Sequence, residues 1–189
     1  DCIRRSLKIS PKQPRAIFNI GLCYQELGQY EKGIEFFSRY IKTDTKDAEA
    51  YHRIGVCYHE ILDSDNAIDS YTKAINLEPK KFKSYHNLGL VYFNINDYEN
   101  SIKTLKEALL ISQNDSATWF TLATSFYKVE DYINAELNFR NALILMPKAL
   151  NFKISLGLTL QKLKKLEEAS EIYEDILLEN PEHLETWIN

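Results

Sequence analysis

Five small residues stand 34 positions apart in this chain: Gly21, Gly55, Gly89, Ala123 and Gly157. Self-similarity at a fixed period of that length marks an array of helix–turn–helix units, each too small to bury its own apolar face except by stacking on its neighbours. The period sets the class of fold before any other property is considered. It also narrows function, because such arrays build long surfaces that hold other molecules.

Registering the chain on those residues gives five full repeats, 14–47, 48–81, 82–115, 116–149 and 150–183. With each repeat numbered from 1, positions 4, 7, 8 and 11 share one face of a helix of 3.6 residues per turn, so the first half of every repeat is amphipathic. The fourth repeat carries Trp119, Leu122, Ala123 and Phe126 there, followed by Ala135, Phe139, Ala142 and Pro147 at positions 20, 24, 27 and 32. The second carries Tyr51, Ile54, Gly55, Tyr58, Ala67, Tyr71, Ala74 and Pro79. These eight positions match what the tetratricopeptide family expects, and the chain resembles that family over nearly its whole length. Departures are confined to Tyr40, Thr45, Gln113, Lys153 and Ile176. The resemblance implies an all-α solenoid, a right-handed superhelix of antiparallel helix pairs, whose first helices line a concave groove for extended or helical peptides.

Punctuation along the chain agrees. Asp63, Asp97 and Asp131 recur at position 16, where a carboxylate can cap the free N–H groups of the second helix and meet the positive end of its dipole. Gly28 and Gln29 serve the first repeat's turn, and Pro79, Pro147 and Pro181 close their second helices because proline cannot continue one. Residues 1–13 read as the second helix of a preceding repeat, with Pro11 in register, and 184–189 as the start of a further repeat, with Trp187 at position 4. The expectation is a single array over 1–189 cut from a longer protein.

Composition excludes several classes of function. A net charge of -4 gives no electrostatic footprint for nucleic acid. No apolar run approaches the roughly 18 residues that span a bilayer, so no membrane insertion is expected. Three cysteines suit a reducing compartment better than a disulfide framework, and a cytoplasmic or other cytosol-facing setting, such as a cilium, follows. Cys23 and Cys57 share position 10 and read as buried packing residues. His52, His59 and His86 fall near one face, but no carboxylate or cysteine converges on all three, so neither metal nor other cofactor is expected. His59-Glu60 lacks the second histidine of the zinc-protease motif, and no phosphate-cradling glycine loop occurs.

The face opposite the stacking residues carries positions 2, 5, 6, 9, 12 and 13, and an ordinary solvent face would be polar there. Position 5 instead reads Phe18, His52, His86, Phe120 and Ile154, and position 12 reads Gln25, His59, Phe93, Tyr127 and Gln161. At position 9, Leu22, Val56, Leu90 and Leu158 read as packing residues half-covered by the neighbouring helix. Large aromatics along one stripe are what binding surfaces use as anchors. The candidate groove contacts are Phe18, His52, His86, Asn87, Phe93, Phe120, Tyr127 and Lys128. Arg15, Glu26, Glu49, Arg53 and Glu60 mix signs early in the groove, whereas Lys83, Lys128 and Lys162 are unopposed later, which suits a partner peptide with acidic residues.

Two ligand modes of the family can be compared residue by residue. Of the five slots of the chaperone-binding carboxylate clamp, occupied here by Phe18, Leu22, Arg53, Lys83 and Asn87, only Lys83 fits. The asparagine ladder of O-linked N-acetylglucosamine transferase is broken, reading Asn19, Arg53, Asn87, Thr121, Ser155 and Asn189 at position 6. The expected function is therefore a non-enzymatic protein-interaction scaffold. The alternatives are a structural spacer of a large ciliary or transport complex, or the substrate-recognition arm of a larger enzyme such as that transferase.

Overall fold

The computed structural model describes residues 13–43 and 45–179. The helix expected over 1–13 and the further repeat expected at 184–189 lie outside these residues, Gln13 excepted. The described residues form ten α-helices and no strand: α1 Pro14–Glu26, α2 Tyr30–Ile41, α3 Ala48–Glu60, α4 Ser64–Leu77, α5 Phe82–Asn94, α6 Tyr98–Ile111, α7 Ser116–Lys128, α8 Tyr132–Leu145, α9 Leu150–Lys162 and α10 Leu166–Glu179. Odd-numbered helices open a repeat and even-numbered helices close it. The chain divides into two compact units, Asp1–Ile95 and Asn96–Asn189, and the division falls inside the third repeat, between its two helices. None of the described helices is long and apolar enough to cross a membrane.

The turn inside each repeat is built the same way five times. Position 15 takes the left-handed conformation whether it is Gly28 (φ 70°), Leu62 (62°), Asn96 (62°), Glu130 (63°) or Lys164 (58°). That residue ends the first helix, as a left-handed residue commonly does. Position 16 then caps the second helix: Asp63, Asp97 and Asp131 each accept a bond from the backbone N–H three residues on, at 3.2 Å. The residue at that point is Asn66, Asn100 or Asn134, and its side-chain amide donates to the same carboxylate at 2.8, 2.7 and 2.6 Å. Gln29, at the corresponding place in the first repeat, makes no side-chain cap bond. Pro79 and Pro147 follow the ends of α4 and α8 by two residues.

In the first unit, the small residue at position 8 lets a ring from position 24 lie against the helix backbone. A Cβ placed on Gly21 would stand 2.7 Å from the Phe37 ring, and one on Gly55 would stand 2.8 Å from the Tyr71 ring. Both rings are fully buried. In the second unit, Ala123 and Phe139 make the same pairing within a cluster that includes Leu122, Phe126, Leu156 and Leu160. Burying each such large apolar side chain stabilises the fold by about 1.5–3 kcal/mol. Lys153, which departs from the pattern at position 4, is buried too, and Asp175 of α10 accepts from its ammonium at 2.6 Å.

Both position-10 cysteines are buried. Cys57 carries a free thiol whose pKa burial pushes up to about 12, so it is inert at neutral pH. Cys23 is disulfide-bonded, a state the repeat register did not foresee.

Candidate functional site

The first-helix face has a shallow depression in each unit. In the first unit it is lined by Leu22, Gln25 and Glu26 of α1, Tyr30 of α2, and Arg53, Val56 and Glu60 of α3, and it encloses about 230 Å³. In the second it is lined by Thr124, Tyr127 and Lys128 of α7, Phe139 of α8, and Ser155 and Leu158 of α9, with about 180 Å³. The two share a register. Each takes positions 9, 12 and 13 from one first helix, positions 6 and 9 from the next, and one aromatic ring from the second helix between them.

The floors are alike and the rims differ. Leu22 and Val56 line one depression, and Leu158 with the Phe139 ring lines the other, so both offer an apolar base. At position 13 the first depression has the carboxylates of Glu26 and Glu60, whereas the second has the exposed ammonium of Lys128. Glu60 beside Tyr30 raises the hydroxyl's pKa. Arg53 is turned into an ion pair with Glu49 at 2.6 Å, and Lys81 reaches the other oxygen of that carboxylate at 2.9 Å. Burial pushes the Glu49 carboxyl up, but the hydrogen bonds from Lys81 and Arg53 outweigh it, so its pKa lies below the ordinary value. Gln25 Oε1 is a buried acceptor with no donor, which makes the first depression short of one hydrogen bond.

The eight residues picked from the sequence have different surroundings within their own units. Tyr127 and Lys128 line the second depression, with the Tyr127 ring edge-on to Tyr132 at 5.3 Å. His86, Asn87 and Phe93 are half-buried along α5, with the His86 ring stacked on Phe82 at 6.0 Å. Phe18 is wedged against Phe37 and Tyr40 at 5.3 and 5.1 Å, inside the first repeat. Phe120 stacks on Phe152 at 4.4 Å and tilts against Phe139 at 5.5 Å, joining the fourth repeat to the fifth.

His52 requires correction as a groove contact. Only 4% of it is exposed, its Nδ1 lies 3.0 Å from Ser84 Oγ of α5, and its ring packs on Tyr71 at 5.5 Å. Burial, with help from Arg53, Lys81 and Lys83, draws its pKa down to about 4 against the opposing pull of Glu49. It is a neutral core residue at pH 7. His59 pairs instead with Asn94 at 2.9 Å, so the three imidazoles of this region are engaged separately. Among the described residues, no three His, Cys, Asp or Glu side chains are grouped to hold a metal ion.

Leu22, Val56 and Leu158 depart from expectation in the other direction, because they line the depressions rather than merely packing. Thr124 and Ser155, on the same helix face but not among the eight candidate contacts, line one as well. The signal that could have found them was the pairing of position 9 with positions 12 and 13 one turn on.

Comparisons with known proteins agree with this fold. A tetratricopeptide repeat model matches residues 14–47, 82–115 and 151–183, and a second TPR repeat model matches 63–96. No curated protein matches the chain by sequence. Among solved structures, a crystal structure of MamA superposes with a TM-score of 0.83 at 19% identity, covering 91% of this chain and 94% of that one. MamA from Desulfovibrio magneticus RS-1, residue 41 to the end, gives 0.82 at 17%, covering 88% and 94%. YrrB, described as a TPR protein with an unusual peptide-binding site, gives 0.82 at 17%, covering 97% and 95%. At such identities the likeness is one of fold.

Proposed function

The chain belongs to the tetratricopeptide repeat family, whose repeat model covers more than half of its residues, and we propose that it is a non-enzymatic scaffold that holds segments of a partner protein on its first-helix face. The observation that carries this reading is the recurrence of an apolar-floored depression in one repeat register, once in each unit. Each is large enough for one or two side chains of a peptide, and each has polar groups at its rim to orient the chain. A pattern of apolar anchor sites with polar rims suits peptide recognition better than catalysis, which needs converging acid, base or nucleophile. YrrB, a fold neighbour described by its peptide-binding site, is consistent with this use.

In the second unit the rim is cationic, so its occupant is a peptide carrying an apolar residue beside an acidic one, the latter meeting Lys128. Opposite charge at a rim steers and orients more than it adds affinity. To test the proposal, peptides selected from a displayed random library on the 189-residue chain are titrated against Tyr127→Ala/Lys128→Ala. Loss of the half-buried anchor is expected to weaken an acidic-apolar peptide by about tenfold or more, with helicity unchanged. Equal affinity for both chains would remove the depression from the binding face.

A further inference from the structure

The second helices of the second unit carry an apolar surface that the groove reading does not use. At positions 18 and 22, four repeats are charged: Glu31 and Glu35, Asp65 and Asp69, Glu99 and Lys103, Glu167 and Glu171. The fourth repeat has Ile133 and Leu137 there, 73% and 58% exposed. Two further turns along the same stripe of α8 lies Ile144, 74% exposed at position 29. Position 29 is polar in the first unit, as Lys42 and Asn76, but apolar on both neighbours of α8, as Leu110 (79% exposed) on α6 and Leu178 (82%) on α10. Isolated exposed leucines need no explanation, but a stripe crossed by a row does.

We propose that this face is a self-association surface and that its occupant is a second copy of the chain. Successive second helices run parallel, because each is followed by an antiparallel first helix. α8 and α10 are tied side by side by Arg140–Glu168 at 2.5 Å and Lys165–Glu136 at 2.8 Å. A two-fold axis running along α8 lays the Ile133, Leu137 and Ile144 stripes of two copies on each other. The same operation sets α6 of one copy opposite α10 of the other. Leu110 then faces Leu178 of the second copy, and Lys103 faces Glu171 of the second copy. A closed two-fold dimer requires this kind of self-complementarity.

Charge selects that axis over its alternative. A two-fold perpendicular to α8 would set α10 against itself, with exposed Glu167, Glu171 and Glu174 on both sides, a like-charge juxtaposition. The chosen axis opposes Glu99 to Glu167 at the edge and brings Arg140, one turn past Leu137 on the α8 stripe, near its own copy, where each guanidinium is already paired with Glu136 and Glu168. Burying five apolar side chains per copy, at roughly 100 Å² each, removes about 1,000 Å² in total, the lower bound of specific interfaces. The dimer is accordingly weak and forms with concentration.

Sedimentation velocity of the 189-residue chain from about 5 to 500 μM is the test. The expected result is a reversible shift from monomer to dimer, abolished in Ile133→Glu/Leu137→Glu, which installs the residue types of the other repeats at exposed sites and leaves the melting temperature nearly unchanged. Lys103→Glu is expected to weaken association several-fold, and adding Glu171→Lys to restore it. A chain that stays monomeric at every concentration overturns the proposal, as does a dimer indifferent to Ile133→Glu/Leu137→Glu. A charge-reversed pair that fails to recover overturns the two-fold placement.

Discussion

Replacing Phe139 by alanine is expected to cost about 3–5 kcal/mol of folding stability, the range for deleting a buried ring from a core that cannot collapse around the gap. The ring is fully buried, lies opposite the small residue Ala123, and meets Phe120 at 5.5 Å. It also lines the depression beside Tyr127 and Leu158, so the substitution removes a wall of the candidate site along with the core. Phe139→Leu should cost distinctly less, since Leu105 fills position 24 of the third repeat and is fully buried. Urea unfolding followed by circular dichroism measures both. A loss below about 1 kcal/mol for Phe139→Ala, the size of an ordinary substitution, would mean that the ring does not hold the fourth repeat together.

Stability is expected to fall as the pH drops from 6.5 to 4, because of one buried group. The folded-state pKa of His52 is about 4, against 6.5 unperturbed. Between those values the unfolded chain binds a proton that the folded chain does not, so lowering the pH favours unfolding. Above 6.5 neither state is protonated and His52 contributes no pH dependence. A full proton difference is worth about 1.4 kcal/mol per pH unit, which makes the loss on the order of 3 kcal/mol by pH 4. Glu49 acts in the same direction but lower: its depressed pKa gives stability that is present above 4.5 and lost as the pH falls through the folded value. The interval from 6.5 to 4.5 therefore isolates His52. In His52→Gln, which keeps a hydrogen-bonding partner for Ser84 but cannot titrate, the urea midpoint should be nearly flat over that interval. A wild-type midpoint that is flat there would contradict a buried, neutral imidazole.

The period and the eight pattern positions carried the helices, their order and their turns, because steric needs at positions 8 and 24 leave few choices of residue. Gly55 under Tyr71 is legible as a pair for that reason. The caps were legible at Asp63, Asp97 and Asp131, but their partners Asn66, Asn100 and Asn134 were overlooked, although they recur at one spacing. The candidate site was read less well. Helical periodicity tells which residues oppose the stacking face, but not how far a neighbouring repeat covers them. Position 5 is covered: His52 reaches Ser84 and Phe120 reaches Phe152. Position 9 is less covered, and Leu158 remains exposed beside Tyr127. The apolar stripe of α8 is legible in the sequence as a break in the charges at positions 18 and 22.

The central claim, that partner segments lie on the first helices, is tested most directly by following backbone amide resonances of the full chain while a library-selected peptide is added. The expected result is saturable shifts at Thr124, Tyr127, Lys128 and Leu158, or at Leu22, Gln25, Val56 and Glu60, with the second-helix residues Ile133, Leu137 and Ile144 unmoved. Shifts confined to those second-helix residues would contradict it.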